Sequence, residues 1–418
     1  MARFLHLADI HLGFDRYNSP ERTKDFFFAL SDVIQKYAIS AQVDFVVIAG
    51  DLFEHRVIQP AILNQAQLCF QQLQTADIPV LAIEGNHDNT PYGTSTSWLK
   101  YLSQWGMLKL LEPGNLAAGE PLYSPWDEVN RKGGYIDLAC GVRVIGSAWY
   151  GAAAIRAIEQ IAEAIPVLPP GPDTTLLLFH HGLEGQIARY SGALRYSELL
   201  PLKEAGVDYL ALGHIHKNYS EGGWVFNPGS LEANNVEEGS FTRGAYLVEV
   251  GAEGIHAELK QDYRQRPIVR LVIKTQDSDS EADVVAKAKQ AVEEAIATGQ
   301  LLPERQPMVE LRIEGQVGFE RLELDTKQLQ KDLQASSQAL IFLLKYEVEE
   351  KEVTEPISSE ASRDLIEHSA FKDMLTAHRD YKRRADTLSE GLVDLKNKRL
   401  AGQDDEALYE YLDELLVP

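Results

Sequence analysis

Five short words in the first 216 residues carry side chains that bind metal ions: Asp9-Ile10-His11, Gly50-Asp51, Gly85-Asn86-His87-Asp88, His180-His181 and Gly213-His214-Ile215-His216. Each follows an apolar run: Phe4 to Ala8, Phe45 to Ala49, Val80 to Ile83, Leu176 to Phe179, and Tyr209 to Leu212. Runs of that length and composition read as buried strands. A strand that ends in Asp, Asn or His delivers that side chain to the rim of a sheet, where open α/β sheets hold their sites. Such rims supply enough nitrogen and oxygen donors for two metal ions that share one carboxylate. Two ions roughly 3.5–4 Å apart clamp a phosphoryl group and activate water. The chemistry expected is metal-dependent hydrolysis of a phosphoester.

Taken singly, each word has a plainer explanation. Gly-Asp marks turns, Asn and Asp cap helices, and a lone histidine is commonly an ordinary core or surface residue. Their order changes the reading, because each word follows a strand. The histidines also cluster. Of the chain's 11, His11, His55, His87, His180, His181, His214 and His216 lie in or just after these words, and only His6, His256, His368 and His378 lie elsewhere.

The series resembles the calcineurin-like metallophosphoesterase superfamily. The longer words Leu7-Ala8-Asp9-Ile10-His11-Leu12-Gly13, Ala49-Gly50-Asp51-Leu52-Phe53 and Asn227-Pro228-Gly229-Ser230 are similar to those of its SbcD-type DNA repair nucleases. The motif match covers about the first 240 residues, and the remainder is similar in layout only. The resemblance implies an α/β fold: a metallophosphoesterase β-sandwich flanked by helices, with a smaller α/β capping domain and a helical C-terminal tail. It implies one metal held by Asp9, His11, Asp51 and His216. A second would be held by Asp51, Asn86, His180 and His214, with Asp51 bridging. Carboxylate, amide and imidazole donors suit Mn²⁺, and also Fe²⁺ or Zn²⁺. His87 is implied as the acid that protonates the leaving oxygen or steadies the phosphate. Asp88 could orient it by accepting its other ring N–H, or serve as a cap.

Two positions depart from the pattern. SbcD-like nucleases often show histidine after Gly-Asp-Leu-Phe. Here that position is Glu54, and His55, one residue on, is the candidate substitute. At His180-His181 the ligand should directly follow the apolar run, which favours His180 and leaves His181 as a solvent or substrate contact.

Composition sets bounds. The chain has 418 residues, 44% of them hydrophobic, enough for two or three domains. Two cysteines, Cys69 and Cys140, suggest a reducing compartment without a disulfide framework. Met1 leads almost directly into the first strand, leaving no room for a signal peptide, and no apolar stretch reaches membrane-span length. The expectation is a cytoplasmic protein with no membrane association. The formal net charge is −23, from 40 Lys and Arg against 63 Asp and Glu. That sits awkwardly with a DNA substrate, because phosphate contacts normally need a basic stripe. Some of the acid lies late in the chain: Glu347, Glu349, Glu350, Glu352, Glu355, Asp404, Asp405 and Glu406. The balance favours weak grip on DNA by this chain alone.

Three regions follow. Residues 1–265 read as the catalytic α/β domain, with helices expected at Thr23 to Tyr37 and Ala61 to Ala76. In the second helix Ile62, Ala66, Cys69, Phe70 and Leu73 recur at helical spacing. Residues 266–350 read as a small α/β domain, the capping domain by resemblance. Its strands are expected at Ile268 to Ile273, Met308 to Ile313 and Ala339 to Tyr346. Its helices are expected at Ala282 to Ala297, with Val285, Ala288, Val292 and Ile296 on one face, and at Leu324 to Leu333. Residues 351–418 read as a charged linker and a helical region: a long segment from Arg363 to Arg399, then Glu406 to Leu416 with Leu408, Tyr411, Leu412, Leu415 and Leu416 as an apolar stripe. Such a stripe packs on its own protein or docks a partner. By resemblance the partner is an SbcC-type, SMC-like ATPase.

Three functions compete at this point. By resemblance the chain is a two-metal DNA nuclease, an exonuclease on duplex ends and an endonuclease on single strands, working as a homodimer with that ATPase. The acidic balance instead suits a phosphatase or small-molecule phosphodiesterase with the same two metals. A non-catalytic scaffold for the ATPase would need no complete ligand set.

Overall fold

The structure is a computed structural model that describes residues 1–116, 119–187, 192–320, 323–349, 363–376 and 381–416. It divides into two compact units, Met1–Val269 with Glu304–Met308, and Arg270–Pro303 with Val309–Pro418.

In the first unit strands and helices alternate. The opening half runs β1 (Ala2–Leu7), α1 (Pro20–Val33), β2 (Phe45–Ala49), α2 (Pro60–Thr75), β3 (Val80–Ile83), α3 (Trp98–Gln104) and β4 (Lys109–Leu110). The next stretch runs β5 (Tyr135–Leu138), β6 (Val142–Ile145), α4 (Ala154–Ala164), β7 (Thr174–His180), α5 (Tyr196–Glu204) and β8 (Tyr209–Gly213). Four strands close the unit: β9 (Tyr219–Glu221), β10 (Val225–Asn227), β11 (Ala245–Gly251) and β12 (Gly254–Lys260). Two six-stranded sheets result, ordered β12-β11-β1-β2-β3-β4 and β5-β6-β7-β8-β10-β9. The strands that precede the metal-binding words are parallel within each sheet: β1 with β2 and β2 with β3, then β7 with β8. Their C-terminal ends therefore share an edge.

The apolar runs are continuous because these strands are covered on both faces. In β2, Phe45, Val47 and Ala49 point to the second sheet, joining Phe4, Ile83, Leu176, Leu178, Tyr209 and Ala211 in the core between sheets. Val46 and Ile48 point the other way, into a core with Phe26 and Leu30 of α1 and Ala66, Cys69, Phe70 and Leu73 of α2. On the far side Leu177, Phe179, Leu210 and Leu212 pack against Ile158 and Ile161 of α4 and Leu199 and Leu202 of α5. The order of layers is helices, sheet, sheet, helices, an α/β sandwich flanked by helices.

α1 starts at Ser19, whose side chain accepts from the Arg22 N–H, with Pro20 as its first residue. It gives way to a π-helical stretch, Ile34–Ile39, where one helix was expected through Tyr37. His6 is fully buried between the sheets. Its Nε2–H donates to the Leu212 carbonyl (3.0 Å), and its Nδ1 accepts from the Tyr209 hydroxyl (3.0 Å). Cys69 is buried, Cys140 half-buried, and both are free thiols. Among the described residues no helix is long and apolar enough to cross a membrane.

The second unit holds a three-stranded sheet, β13 (Ile268–Thr275), β14 (Met308–Gln316) and β15 (Ile341–Glu349), whose first strand begins in the first unit. Two helices accompany it, α6 (Glu281–Ala297) and α7 (Thr326–Ser337). The buried residues of α6 are Val284, Ala288, Val292 and Ala295. Val285 and Ile296, expected on that face, are only half-buried, so the stripe is rotated by one residue at each end. The helical tail belongs to the same compact unit. Its long segment is two helices, α8 (Arg363–Thr376) and α9 (Ala385–Leu400), followed by α10 (Asp405–Leu416). Most of the charged linker, including Glu350, Glu352 and Glu355, lies outside the described residues. Leu408, Tyr411, Leu412 and Leu415 are half-buried rather than free. Leu415 packs where a Cβ on Gly391 of α9 would meet it at 2.4 Å, and the Lys398 ammonium sits 4.0 Å above the Tyr411 ring. Leu415 and Tyr411 thus pack on α9, while Leu416, the last residue of the stripe, is exposed.

Candidate metal centre

The loops after β1 and β2 are joined by main-chain hydrogen bonds. Asp9 N–H donates to Gly50 O (3.2 Å), those of Ile10 and His11 to Asp51 O (2.9 and 3.1 Å), and Leu12 N–H to Leu52 O (2.9 Å). Both loops turn sharply, so that Asp9, His11 and Asp51 take left-handed backbone conformations at φ 52°, 51° and 55°; His214 does the same at 83°. Non-glycine residues rarely adopt that region, and such strain concentrates at functional sites. Gly50 is needed for a different reason: at φ 90° it lies under the His180 ring, and a Cβ there would meet Nδ1 at 2.4 Å.

Two sets of donors converge. Ligand atoms of Asp9, His11 and His216 lie within 4.8 Å of one another, and so do those of Asp51, His180 and His214. The Nε2 atoms of His11 and His216 face each other at 3.1 Å. His180 Nε2 lies 3.2 Å from Asp51 Oδ2 and 3.2 Å from Asn86 Oδ1, and His214 Nδ1 lies 2.8 Å from the same amide oxygen. Three other ring nitrogens are held from outside. The Nδ1–H of His180 donates to Ala49 O (2.7 Å), that of His216 to Glu238 Oε1 (3.2 Å) and that of His87 to Glu54 O (2.6 Å). An acceptor on Nδ1 fixes the proton there and leaves the Nε2 lone pair for a metal or a substrate.

The charges fit a cation. Asp9 and Asp51 are buried, and their neighbours of opposite sign are imidazoles. Burial raises the pKa of Asp9. Burial opposes ionisation of Asp51 too, but His180, His11 and His87 outweigh it and hold that carboxyl below the usual range. Burial disfavours charge on His180 and His216. Asp51 outweighs this at the first and Glu238 at the second, lifting both to about 9. Burial and the nearby His180 drive His214 down to about 3. Buried carboxylates that face ring nitrogens aimed at one another form a donor set suited to divalent ions.

His87 stands apart from these two sets. Its ring meets that of His11 edge-on, centroids 4.9 Å apart, and its main-chain N–H donates to Asp51 Oδ1 (2.9 Å). Asp88 does not orient it. The Asp88 carboxylate accepts from the N–H groups of Leu52, Phe53 and Gly85, each at 3.1 Å, and so ties the β2 loop to the β3 loop. Burial and the charge of Asp51 push its pKa up to about 7. His55 does not replace the histidine displaced by Glu54. It is exposed and pairs with Asp15 (3.1 Å), while Glu54 itself turns inward to His11. His181 is not a solvent contact either. It is buried, its ring nitrogens lie beside the Gly182 and Gly151 carbonyls, and it stacks on Trp149.

Three site residues escape the sequence reading. Trp149 leans over His214 and His180, at 5.2 and 5.8 Å between centroids. It follows β6, which runs parallel to β7, so the rule that parallel strand ends carry the site would have pointed to it. Glu54 was visible only as a misfit. Glu238, 22 residues beyond His216, gives no local signal. The word Asn227-Pro228-Gly229-Ser230 holds the histidine loop: the Asn227 amide donates to Ile215 O and Lys217 O (2.7 and 2.9 Å), and Ser230 N–H to His216 O (3.2 Å).

The calcineurin-like phosphoesterase profile matches residues 2–218, just over half of the chain. The chain belongs to the calcineurin-like phosphoesterase family. Among curated relatives it is similar to the DNA double-strand break repair protein Mre11 of Archaeoglobus fulgidus, at 33% identity over 57% of this chain and 52% of that one. The Mre11 of Saccharolobus solfataricus is 29% identical over 60% of each, and that of Methanosarcina acetivorans 28% over 60% of this chain and 37% of its own. The chain thus spans between 37% and 60% of the length of these relatives. Membership brings a dinuclear divalent metal site, for which the two donor sets above are the candidates.

Proposed function

We propose that the chain is a two-metal-dependent DNA nuclease that hydrolyses phosphodiester bonds in double-strand-break repair. The observation that carries this reading is the pair of donor sets, Asp9/His11/His216 and Asp51/His180/His214, at one shared edge of two sheets. The similarity to Mre11 proteins supports DNA as the substrate. Asp51 is assigned as the bridging carboxylate and Asn86 as a further oxygen donor.

When bound, two divalent ions supply positive charge for the phosphodiester and activate water. The residues do the rest. Outer hydrogen bonds keep the histidine lone pairs aimed inward, which lowers the cost of organising the site. His87, with its Nδ1–H held by Glu54 O, presents Nε2 to the leaving oxygen, and in its protonated form, in which Nε2 also carries a proton, it acts as acid or as a donor to the phosphate. Trp149 walls the His180 and His214 side against water.

The metal is proposed to be manganese, the assembly a homodimer, and the partner an SbcC-type ATPase engaged through the helical tail. Residues 266–350 take the role of a capping domain. The purified chain with Mn²⁺ should cleave linear duplex DNA from its ends and nick circular single-stranded DNA. Turnover of a nitrophenyl phosphodiester with neither DNA cut would make it a small-molecule phosphodiesterase. Inactivity on all three would leave the scaffold role. For the partner, capture of the ATPase by the full chain but not by residues 1–355 is expected. Equal capture by both would move docking off the tail.

A further inference from the structure

Glu54 stands where the SbcD-like pattern often shows histidine, and it contacts two of the site's rings at once. Its carboxylate Oε2 lies 2.7 Å from His11 Nδ1, outside hydrogen-bond alignment, so that it acts there as a charge. Its main-chain oxygen accepts from His87 Nδ1–H at 2.6 Å. His11 is 1% exposed and Glu54 half-buried, so little water screens the pair.

The ligand atoms of His11, Glu54 and His87 also lie within 4.8 Å of one another. A third metal position there is disfavoured by the chemistry of the ring. A neutral imidazole has one lone pair, and His11 already turns Nε2 toward His216. The negative charge of Glu54 beside Nδ1 favours the tautomer with the proton on that nitrogen. Glu238 accepts a hydrogen bond from the Nδ1–H of His216 on the other side, at 3.2 Å. The two carboxylate–histidine pairs fall in the same donor set. In the other set His180 leans on a neutral carbonyl, that of Ala49. A carboxylate partner makes an imidazole a stronger donor than a carbonyl partner does.

We propose that Glu54 is a positioning residue that, with Glu238, makes the Asp9/His11/His216 position the tighter of the two, so that this position fills first. This rests on the dinuclear reading given above.

The test is a Mn²⁺ titration of the metal-free full chain, followed by electron paramagnetic resonance and calorimetry. Two binding steps of unequal affinity are expected for the unaltered protein. Glu54→Gln keeps the shape of the side chain and loses its charge. It should weaken the tighter step about 10–100-fold and leave the weaker one unchanged. Glu238→Gln should act on the same step, and Glu54→Asp should recover part of the loss. Melting curves and circular dichroism check that each variant folds. Unchanged affinities in folded Glu54→Gln, or an effect on the weaker step alone, would overturn the proposal while the dinuclear reading stands. An unaltered protein that binds no Mn²⁺ would sink both.

Discussion

Gly85 lies hard against Asp51: a Cβ on Gly85 would sit 2.1 Å from the Asp51 Oδ1 and 2.6 Å from its main-chain nitrogen. The Asp51 carboxylate, proposed to bridge the two metals, is thus located by the absence of a side chain on the neighbouring strand end. Gly85→Ala should push Asp51 out of place. We expect loss of at least one bound Mn²⁺ per chain by mass spectrometry, with a stability loss of about 1–3 kcal/mol from overpacking in urea titration. Full metal content in the variant would mean that the loop gives way instead.

Asp51→Asn leaves the fold and removes the charge assigned to both positions. Metal content should fall from two ions toward none, and hydrolysis should be abolished. Two ions and normal turnover in this variant would refute the bridging role.

His87→Ala should separate binding from rate. The ring lies outside the Asp9/His11/His216 and Asp51/His180/His214 sets, so the Mn²⁺ content should stay at two ions. The rate of DNA cleavage should drop on the order of 10²–10⁴-fold, the usual contribution of an acid–base group. Loss of metal along with activity would place His87 among the ligands.

His6 should make the protein acid-sensitive. Burial drives its pKa down to about 3, against the raising effect of its bond to Leu212 O. In the unfolded chain it titrates near 6.5. Between those values the unfolded state takes up a proton that the native state refuses. Stability is therefore unaffected above pH 6.5 and falls as pH drops toward 3, by up to about 1.4 kcal/mol per pH unit. His6→Gln can keep a donor for Leu212 O and does not titrate. Unfolding free energies from pH 7 to 4.5, measured with chelator present, should fall less steeply in the variant. Parallel slopes would show that His6 is not the group responsible.

The amino-acid sequence determined the five apolar strands and the residues that follow them. Buried strands must be continuous in apolar character, and ligands must be Asp, Asn or His, so both are written locally. It also determined α2, whose buried face Ala66, Cys69, Phe70 and Leu73 is a simple helical repeat. The division of the candidate ligands into two sets was implied by the family resemblance and by no spacing along the chain; the tertiary structure brings each set together, because parallel strand ends from two sheets meet there. It alone moved Asp88 from His87 to three backbone N–H groups, turned His55 outward and Glu54 inward, buried His181 under Trp149 and brought Glu238 to His216. Each of these is a contact between segments distant in the chain or a choice of side-chain direction. Such choices are settled by packing and by the charge already present at the site, neither of which a local pattern contains.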